Sequence, residues 1–222
     1  MRSISVVINA RLTSTRLPQK LLRPFAGTSL IEISLEKLNQ MDFFEHRYLA
    51  VAEDELKIFA KHFKNIKILH RDSAAVKKGV NPQKITFAHY LEVQTDYIFV
   101  FNPCLPFLSI ETVRKAFEYF QSTNFPSYTS VVPTRDWIFD SEGNALTNTD
   151  PRNVYTNKGK IFYRAAHAFH IVNKEFFAKN GFHWTYTPND PHLIQIPEEE
   201  AFDIDNEIEF KFVEYNYTRK KR

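Results

Sequence analysis

The chain has 222 residues, of which 43% are hydrophobic, 25% are charged and 15% are aromatic. This length predicts one large domain with a sizeable core, and the composition excludes a disordered tail and a fibrous repeat. The longest apolar run, residues 97–101, is too short to span a bilayer. The single cysteine, Cys104, excludes an internal disulfide framework and a cysteine-based zinc site.

The net charge of +3 depends on the end of the chain, because four of the 29 bases occupy residues 219–222. Without them, 25 bases stand against 26 acids, and we expect the tail to be a solvated chain end. Nucleic-acid-binding proteins concentrate positive charge on one face, so we expect neither a nucleic-acid nor a membrane partner. Residues 1–10 do not resemble a signal peptide, which together with the lone cysteine predicts a cytoplasmic protein.

Strand-like and helix-like segments alternate over the first 120 residues. The predicted strands are residues 5–9, 48–52, 66–69 and 97–101. The predicted helices begin after Thr28 or Ser29, at a cap on Asp54, at Pro82 and after Ser109, and the last three reach residues 64, 94 and 120. Such alternation is typical of a mostly parallel sheet with helices on both faces and ligands at the carboxyl ends of its strands.

The alternation breaks after residue 129. Residues 130–133 and 161–172 are predicted to be extended, with a turn around Gly143 between them. We therefore interpret residues 133–185 as an inserted, irregular arm. The end of the chain is ambiguous, because Ile208, Phe210 and Phe212 alternate like a strand whereas Ile208, Phe212 and Tyr215 fit a helix.

A loop with the sequence NARLTSTRLPQK follows the first predicted strand, over residues 9–20. It combines the cations Arg11, Arg16 and Lys20 with three hydroxyl side chains, and such groups bind the oxyanions of a polyphosphate. It is neither a Walker motif nor a dinucleotide fingerprint, because the five glycines of the chain lack the required spacing. On composition alone, a solvated basic loop is an equal alternative.

Two carboxylates, Asp203 and Asp205, lie in the segment FDIDNE near the end of the chain. Residues two apart on an extended segment point to the same side, so both can approach one hard cation. In the alternative interpretation, Asp205 caps a terminal helix whose dipole Glu207 and Glu209 complement. Capping does not exclude metal binding.

Three segments carry a resemblance to a known family. The first is the loop with Ala10, Arg11, Ser14, Arg16, Leu17, Pro18 and Lys20, followed by Gly27. The second is FDID at residues 202–205, and the third is NPCLPF at residues 102–107. They resemble the nucleotide loop, the closing IDID segment and the mid-chain QPTSP turn of the sugar-acid cytidylyltransferases, which activate sialic acids, related nonulosonic acids or the eight-carbon acid Kdo as CMP-sugars.

The resemblance implies an α/β, three-layer nucleotidyltransferase fold with a mostly parallel central sheet. It implies one domain over residues 1–222, with an inserted dimerisation subdomain at about 133–185, and a homodimer. The implied reaction joins CTP to a 2-keto-3-deoxy sugar acid, giving a CMP-sugar and pyrophosphate, with Mg²⁺ as the cofactor.

The resemblance also implies roles for individual residues. The implied catalytic residues are Arg11, Lys20 and Asp205, and the implied metal ligands are Asp203 and Asp205. Nucleotide binding is implied for Ala10, Arg11, Ser14, Arg16, Lys20, Arg71 and Asn102. A surface ion pair with Asp72 is an equal alternative for Arg71.

The chain departs from the family pattern at the acceptor side. Asn102 replaces the Gln of the sialic-acid branch, Leu105 replaces its Ser, and Ala166 with His167 replaces its Asn-Gly pair. A non-catalytic or redirected member that binds a nucleotide or a sugar, and an enzyme that uses another nucleoside triphosphate, are therefore alternatives. His167 and His170 are predicted on opposite faces of a strand, which disfavours a metal site, and Cys104 is interpreted as a packing residue.

Overall fold

The computed structural model describes residues 1–76, 82–147, 149–152 and 154–220. The strands are β1 (Ile4–Asn9), β2 (Pro24–Phe25), β3 (Thr28–Ser29), β4 (Arg47–Val51), β5 (Ile66–His70), β6 (Tyr97–Phe101), β7 (Tyr128–Thr134), β8 (Phe162–Asn173) and β9 (His192–Gln195). The helices are α1 (Leu30–Gln40), α2 (Asp54–Ala60), α3 (Ser73–Val76), α4 (Gln83–Thr86), α5 (Ile110–Ser122), α6 (Lys174–Asn180) and α7 (Glu207–Lys220). Three 3₁₀ turns cover Ala88–Glu92, Thr156–Lys158 and Glu198–Glu200.

Seven strands form the central sheet in the order β5-β4-β1-β6-β8-β7-β9. Only β8 runs antiparallel to its neighbours among these strands, which confirms the predicted α/β fold with a mostly parallel sheet. Strands β1 and β6 are parallel and in register, with Ile8 opposite Phe101. The loops that follow them therefore begin side by side at one edge of the sheet.

Apolar side chains cover both faces of this sheet. Along β1, Val6 and Ile8 point into a large core with α1, α5 and α7, whereas Val7 points into a smaller one with the 3₁₀ turn at Ala88–Glu92 and α6. This alternation follows from the two-residue period of a strand and gives the expected three layers. No helix in the described ranges is long and apolar enough to cross a membrane.

The first residues of the helices agree with two of the predicted capping residues and disagree with a third. Ser29 and Ser109 cap α1 and α5, each accepting a hydrogen bond from the backbone amide three residues later. The predicted cap on Asp54 is wrong, because Glu53 occupies the cap position of α2 and the helix already ends at Ala60. The helix predicted over 82–94 is broken, since Phe87 has φ −119° and ψ 22° between α4 and a 3₁₀ turn.

The chain leaves the sheet between β7 and β8, over residues 135–161. The wider arm predicted at 133–185 includes β8 and α6. The structure instead places β8 in the central sheet, where it pairs with both β6 and β7, and packs α6 against one face of that sheet through Phe177. The predicted turn is present, with Gly143 at φ +88° and Asp140 Oδ1 accepting from two amides of the turn. At the chain end, Arg219 and Lys220 are exposed residues of α7, and the rest of the basic tail lies outside the described residues.

Candidate active site

The loop over residues 10–20 crosses the carboxyl edge of the sheet and is held in place from below. The Leu12 amide donates to Glu53 Oε1 at 2.9 Å, and the Ala10 amide donates to the Ala50 carbonyl at 3.0 Å. Leu17 is buried and anchors the loop in the core, and its amide donates to Ser14 Oγ at 3.3 Å. Five polar side chains of the loop face a cleft, namely Arg11, Ser14, Thr15, Arg16 and Lys20.

Residues from three separate segments line this nucleotide-side cleft: Asn9, Arg11, Ser14, Thr15, Arg16, Lys20, Leu21, Asn102, Pro103, Cys104 and Asp205. The structure thus brings together six of the residues that the sequence predicted for the site. Of the other predicted residues, Ala10 lies directly behind the loop, Asp203 adjoins the cleft and Arg71 is buried beneath it.

Asp205 forms the electrostatic centre of the cleft. Its Oδ2 lies 2.8 Å from Arg16 Nη2, and its Oδ1 lies 3.2 Å from Lys20 Nζ. Lys20 Nζ also donates to the Ile204 carbonyl at 2.6 Å. Burial lowers the pKa of Lys20, but the Cys104, Asp203 and Asp205 side chains together raise it above the ordinary value, so Lys20 stays charged.

The alternative in which Asp205 caps the terminal helix is wrong. Asn206 is the residue that caps α7, because its Oδ1 accepts from the Glu209 amide at 3.0 Å. Glu209 Oε2 reciprocates by accepting from the amides of Asp205 and Asn206, at 2.7 and 3.1 Å. This capping box leaves the carboxylate of Asp205 free for Arg16 and Lys20.

Asp203 lies beside Asp205 in a drier place. Burial raises the pKa of its carboxyl to about 6, and Asp205 adds to that rise, while Lys20, Asn102 and His167 oppose it. Its Oδ2 accepts from Asn102 Nδ2 at 3.3 Å, but the buried Oδ1 has no hydrogen-bond partner among the described residues. An ionised Asp203 therefore has one uncompensated oxygen, which a bound cation would satisfy.

The two aspartates suit a cation such as Mg²⁺, which takes only part of its ligands from the protein, better than a metal coordinated entirely by side chains. Within the described part of the chain, no group of three or more His, Cys, Asp and Glu side chains could hold a metal ion. Mg²⁺ commonly takes one or two carboxylates and completes its shell with substrate phosphates and water. Asp203 and Asp205 supply such a partial set of oxygen ligands beside the cations of the loop.

Arg71 supports the loop from behind. Only 3% of the residue is exposed, so the alternative of a surface ion pair is wrong. Its Nη1 donates to the Ala10 carbonyl at 3.2 Å, and its Nη2 reaches the Thr86 carbonyl at 3.4 Å. The guanidinium does not line the cleft, which distinguishes it from Arg11 and Arg16.

Asn102 ties three segments together. Both hydrogens of its Nδ2 are used, on the His167 carbonyl at 3.0 Å and on Asp203 Oδ2. Its Oδ1 accepts from the Cys104 amide at 2.9 Å. Burial raises the pKa of the Cys104 thiol to about 12, which agrees with its interpretation as a packing residue.

Sequence reasoning missed the groups that support the cleft. Asn9 Nδ2 donates to the Tyr90 hydroxyl at 2.8 Å, and His89 Nε2 lies 2.7 Å from Asn9 Oδ1. Burial, assisted by Arg71, lowers the pKa of His89 to about 3, so the ring is neutral. A polar residue ending an apolar strand was the available signal for Asn9, whereas Glu53 and His89 gave none.

A second cleft, called here the acceptor-side cleft, adjoins the first through Asp205. It is lined by Arg164, Ala165, Ala166, His167, Ala201, Phe202, Asp203, Asp205, Ile208, Glu209 and Phe212. The predicted opposite placement of His167 and His170 is wrong, since their ring centroids lie 5.7 Å apart. The cause is the backbone of His167, which has φ +52° and so breaks the alternation of β8.

Comparison with known proteins adds three findings. A family model described as cytidylyltransferase matches residues 5–203. The 3-deoxy-manno-octulosonate cytidylyltransferase of Rickettsia akari (strain Hartford) is 26% identical over 182 residues, 81% of this chain and 73% of that protein. The post-translational flagellin modification protein B of Campylobacter coli is 26% identical over 234 residues, 97% of this chain and 95% of its own length.

Solved structures share the fold. One is CMP:2-keto-3-deoxy-manno-octonic acid synthetase complexed with CTP, which has a TM-score of 0.69 and 13% identity and covers 98% of this chain and 99% of its own. Another is 4-diphosphocytidyl-2C-methyl-D-erythritol synthase from Anaerococcus prevotii, with a TM-score of 0.68, 12% identity and the same coverage. Both chains are similar in fold over nearly their whole length.

Proposed function

We propose, from the premise that this chain belongs to the cytidylyltransferase family, that it transfers the CMP group of CTP to a 2-keto-3-deoxy sugar acid. The observation that carries the proposal is the meeting of Arg16, Lys20, Asp203 and Asp205 at the carboxyl edge of the sheet. Two cations and Asp205 in the nucleotide-side cleft, with Asp203 adjoining it, suit a triphosphate that binds together with a divalent cation.

The cations of the loop would hold the triphosphate. In the structure, the Asp205 carboxylate pairs with both Arg16 and Lys20, so the phosphate oxygens would take over these contacts and release the carboxylate. Arg11 and Ser14 line the same cleft and would bind further oxygens. Arg71 fixes the Ala10 carbonyl, which keeps the backbone at Ala10 and Arg11 in place to read the edge of cytosine.

Asp203 and Asp205 would hold Mg²⁺, whose bound charge lowers the cost of charge on the phosphates. A hydroxyl oxygen of the acceptor bonds to the α-phosphorus, the bond from that phosphorus to pyrophosphate breaks with its electron pair, and the hydroxyl proton passes to solvent. The protein contributes position and electrostatics, because this displacement asks for no covalent intermediate.

The acceptor-side cleft is the site proposed for the sugar acid. It opens on the same two aspartates, so an acceptor there would face the α-phosphorus held at the loop. Arg164 supplies a guanidinium that suits a carboxylate, while Phe202, Ile208 and Phe212 supply apolar walls. The relative named for 3-deoxy-manno-octulosonate supports an eight-carbon acid, and the sequence resemblance supports a nonulosonic acid as well.

A homodimer is proposed from the arm at residues 135–161. Its described side chains expose several large apolar groups, namely Trp137, Ile138, Phe139, Leu146, Val154, Tyr155 and Ile161. A contiguous segment of this kind is typical of a protein contact surface, and a second copy of the chain is the proposed partner.

Pyrophosphate release tests the proposal directly. The protein would be incubated with CTP, UTP, GTP or ATP, with eight- and nine-carbon 2-keto-3-deoxy sugar acids, and with or without Mg²⁺. We expect release that requires CTP, a sugar acid and Mg²⁺ together. Binding of CTP, seen as thermal stabilisation without release, would instead favour the non-catalytic alternative.

Asp205→Asn should reduce kcat by at least about 100-fold, because the variant loses one carboxylate ligand and disturbs both loop cations. The matched control is Glu207→Gln, which removes a carboxylate two residues away that pairs with Arg23 outside the cleft. Circular dichroism would verify that both variants fold. Near-normal turnover by Asp205→Asn would contradict the assignment of Asp205.

A further inference from the structure

Strand β8 contains a bulge beside the acceptor-side cleft. Thr129 of β7 lies opposite His170, but Val131 lies opposite Ala165, so two steps along β7 correspond to five along β8. The intervening residues of β8 leave the regular ladder with β7, although Phe169 still pairs with Phe101 of β6. Such bulges re-aim side chains and occur often beside active sites.

Two neighbouring residues fix the bulge. Ser130 Oγ accepts from the amides of Ala168 and Phe169, at 3.0 and 3.1 Å, and donates to the Phe169 carbonyl at 3.1 Å. Asn102 donates from its backbone amide to the Ala168 carbonyl and from its side chain to the His167 carbonyl, both at 3.0 Å. The backbone of His167 is therefore held in one conformation by its surroundings.

That conformation is unfavourable for histidine. With φ at +52°, the Cβ of His167 crowds its own backbone, a cost that glycine would not bear. Four other described non-glycine residues also have positive φ, namely Gln19, Ala26, Tyr186 and Asn189. Strain alone is thus not specific, but strain at a residue that lines a cleft beside two carboxylates points to a role for its side chain.

The imidazole of His167 is exposed and available to a ligand. It lines the acceptor-side cleft together with Asp203 and Asp205. One side of the ring packs edge-on against His170, whose Nδ1 is tied to Thr129 Oγ1 at 2.8 Å. Neither ring nitrogen of His167 has a hydrogen-bond partner in the described ranges.

We propose that His167 hydrogen-bonds the acceptor sugar acid beside its reacting carbon and thereby orients the hydroxyl that attacks the nucleotide. The inference rests on the proposed function. It gives a role to His167, which the sequence analysis did not assign to the site. The ligand is an oxygen-rich acid, and one of its hydroxyl or carboxylate oxygens would form a hydrogen bond with a ring nitrogen of His167.

His167→Gly separates this role from a structural one, because glycine removes the imidazole and relieves the strained φ. We expect a melting temperature equal to or above that of the natural protein, and a fall of at least tenfold in kcat/KM for the acceptor. The KM for CTP should stay within twofold. His167→Asn, which tolerates positive φ and can donate a hydrogen bond, should restore part of the acceptor kcat/KM.

Ala26→Gly is the matched control. Ala26 has φ +51° in the tight turn between β2 and β3 and does not line either cleft, so its replacement should relieve strain without changing the acceptor kinetics. Unchanged acceptor kinetics in His167→Gly would overturn the inference while leaving the proposed function intact. Absence of pyrophosphate release by the natural protein with every sugar acid would overturn both.

Discussion

The burial of Asp203 lowers the stability of the folded protein at neutral pH and would favour the binding of a cation. Its pKa of about 6 in the folded state lies above the ordinary value of 3.8. The folded protein therefore binds the proton more tightly than the unfolded chain does, and stability is lost as the pH rises from about 4 through about 6. A bound cation would offset this loss, because it prefers the ionised carboxylate.

Asp203→Asn should consequently raise the free energy of unfolding at pH 7 without Mg²⁺ by up to about 3 kcal/mol. The gain should disappear near pH 4, where the carboxyl of the natural protein is protonated in the folded state. Urea unfolding at both pH values measures this difference. A gain that is independent of pH would contradict the assigned burial of charge, and loss of turnover in the same variant is expected on the proposed metal role.

Arg71 illustrates what a residue's sequence position can and cannot predict. Its place after the third strand predicted a residue near the nucleotide, and the guanidinium does reach the Ala10 carbonyl of the nucleotide loop. Its burial depends on the 3₁₀ turn and α4 folding over it, which bring the Thr86 carbonyl within 3.4 Å. Local sequence holds no signal for a contact of this kind.

Among the secondary-structure elements, the terminal helix α7 shows why the spacing of apolar residues could not distinguish a strand from a helix. Ile208 and Phe212 are 81% and 54% exposed, so the apolar pattern of this segment does not report the buried face. The buried face instead carries Phe210 and Val213, which pack into the large core. The capping box of Asn206 and Glu209 was the stronger signal for a helix.

The bulge of β8 depends on the hydroxyl of Ser130, which forms three hydrogen bonds with the backbone of Ala168 and Phe169. Ser130→Ala should lower the free energy of unfolding by about 1–3 kcal/mol, since two buried amides lose their acceptor. It should also reduce kcat/KM for the acceptor, because His167 loses its fixed position. Chemical unfolding and acceptor kinetics provide the two measurements.

Ser5→Ala is the matched control for this prediction. Ser5 is equally buried, and its Oγ accepts from Thr95 Oγ1 at 2.8 Å at the opposite end of the sheet from the cleft. We expect it to lose stability without a selective loss of acceptor kcat/KM. An equal effect of both variants on acceptor kinetics would show that the bulge has no special link to the acceptor.

At the scale of the whole molecule, the arm at residues 135–161 can be removed without breaking the sheet. Thr134 and Phe162 pair at the ends of β7 and β8, so a two-residue Asn-Gly turn can join them. Light scattering should give twice the mass of one chain for the natural protein and a single-chain mass for the shortened one.

Point variants check that the arm acts through its apolar surface. Phe139→Ser, at a residue 57% exposed, should weaken the dimer and make its mass depend on protein concentration. Ile58→Ser changes an exposed apolar residue of α2, 54% exposed and outside the arm, and should leave the mass unchanged. A natural protein that is monomeric at all concentrations would refute the proposed homodimer.

The amino-acid sequence alone was enough to predict the alternating architecture, four central-sheet strands in the first 101 residues to within one or two residues, and the cationic loop with its two distant aspartates, whereas the short strands β2 and β3 were missed. These predictions depend only on neighbouring residues, because the spacing of apolar side chains, the capping residues and the chemistry of a loop can be recognised within a few positions of the sequence. Three features became visible only in the folded chain: Lys20 pairs with Asp205, Arg71 is buried, and His167 lines the acceptor-side cleft. Such contacts join residues far apart in the chain, so they depend on sheet order, register and one bulge, which no local pattern specifies.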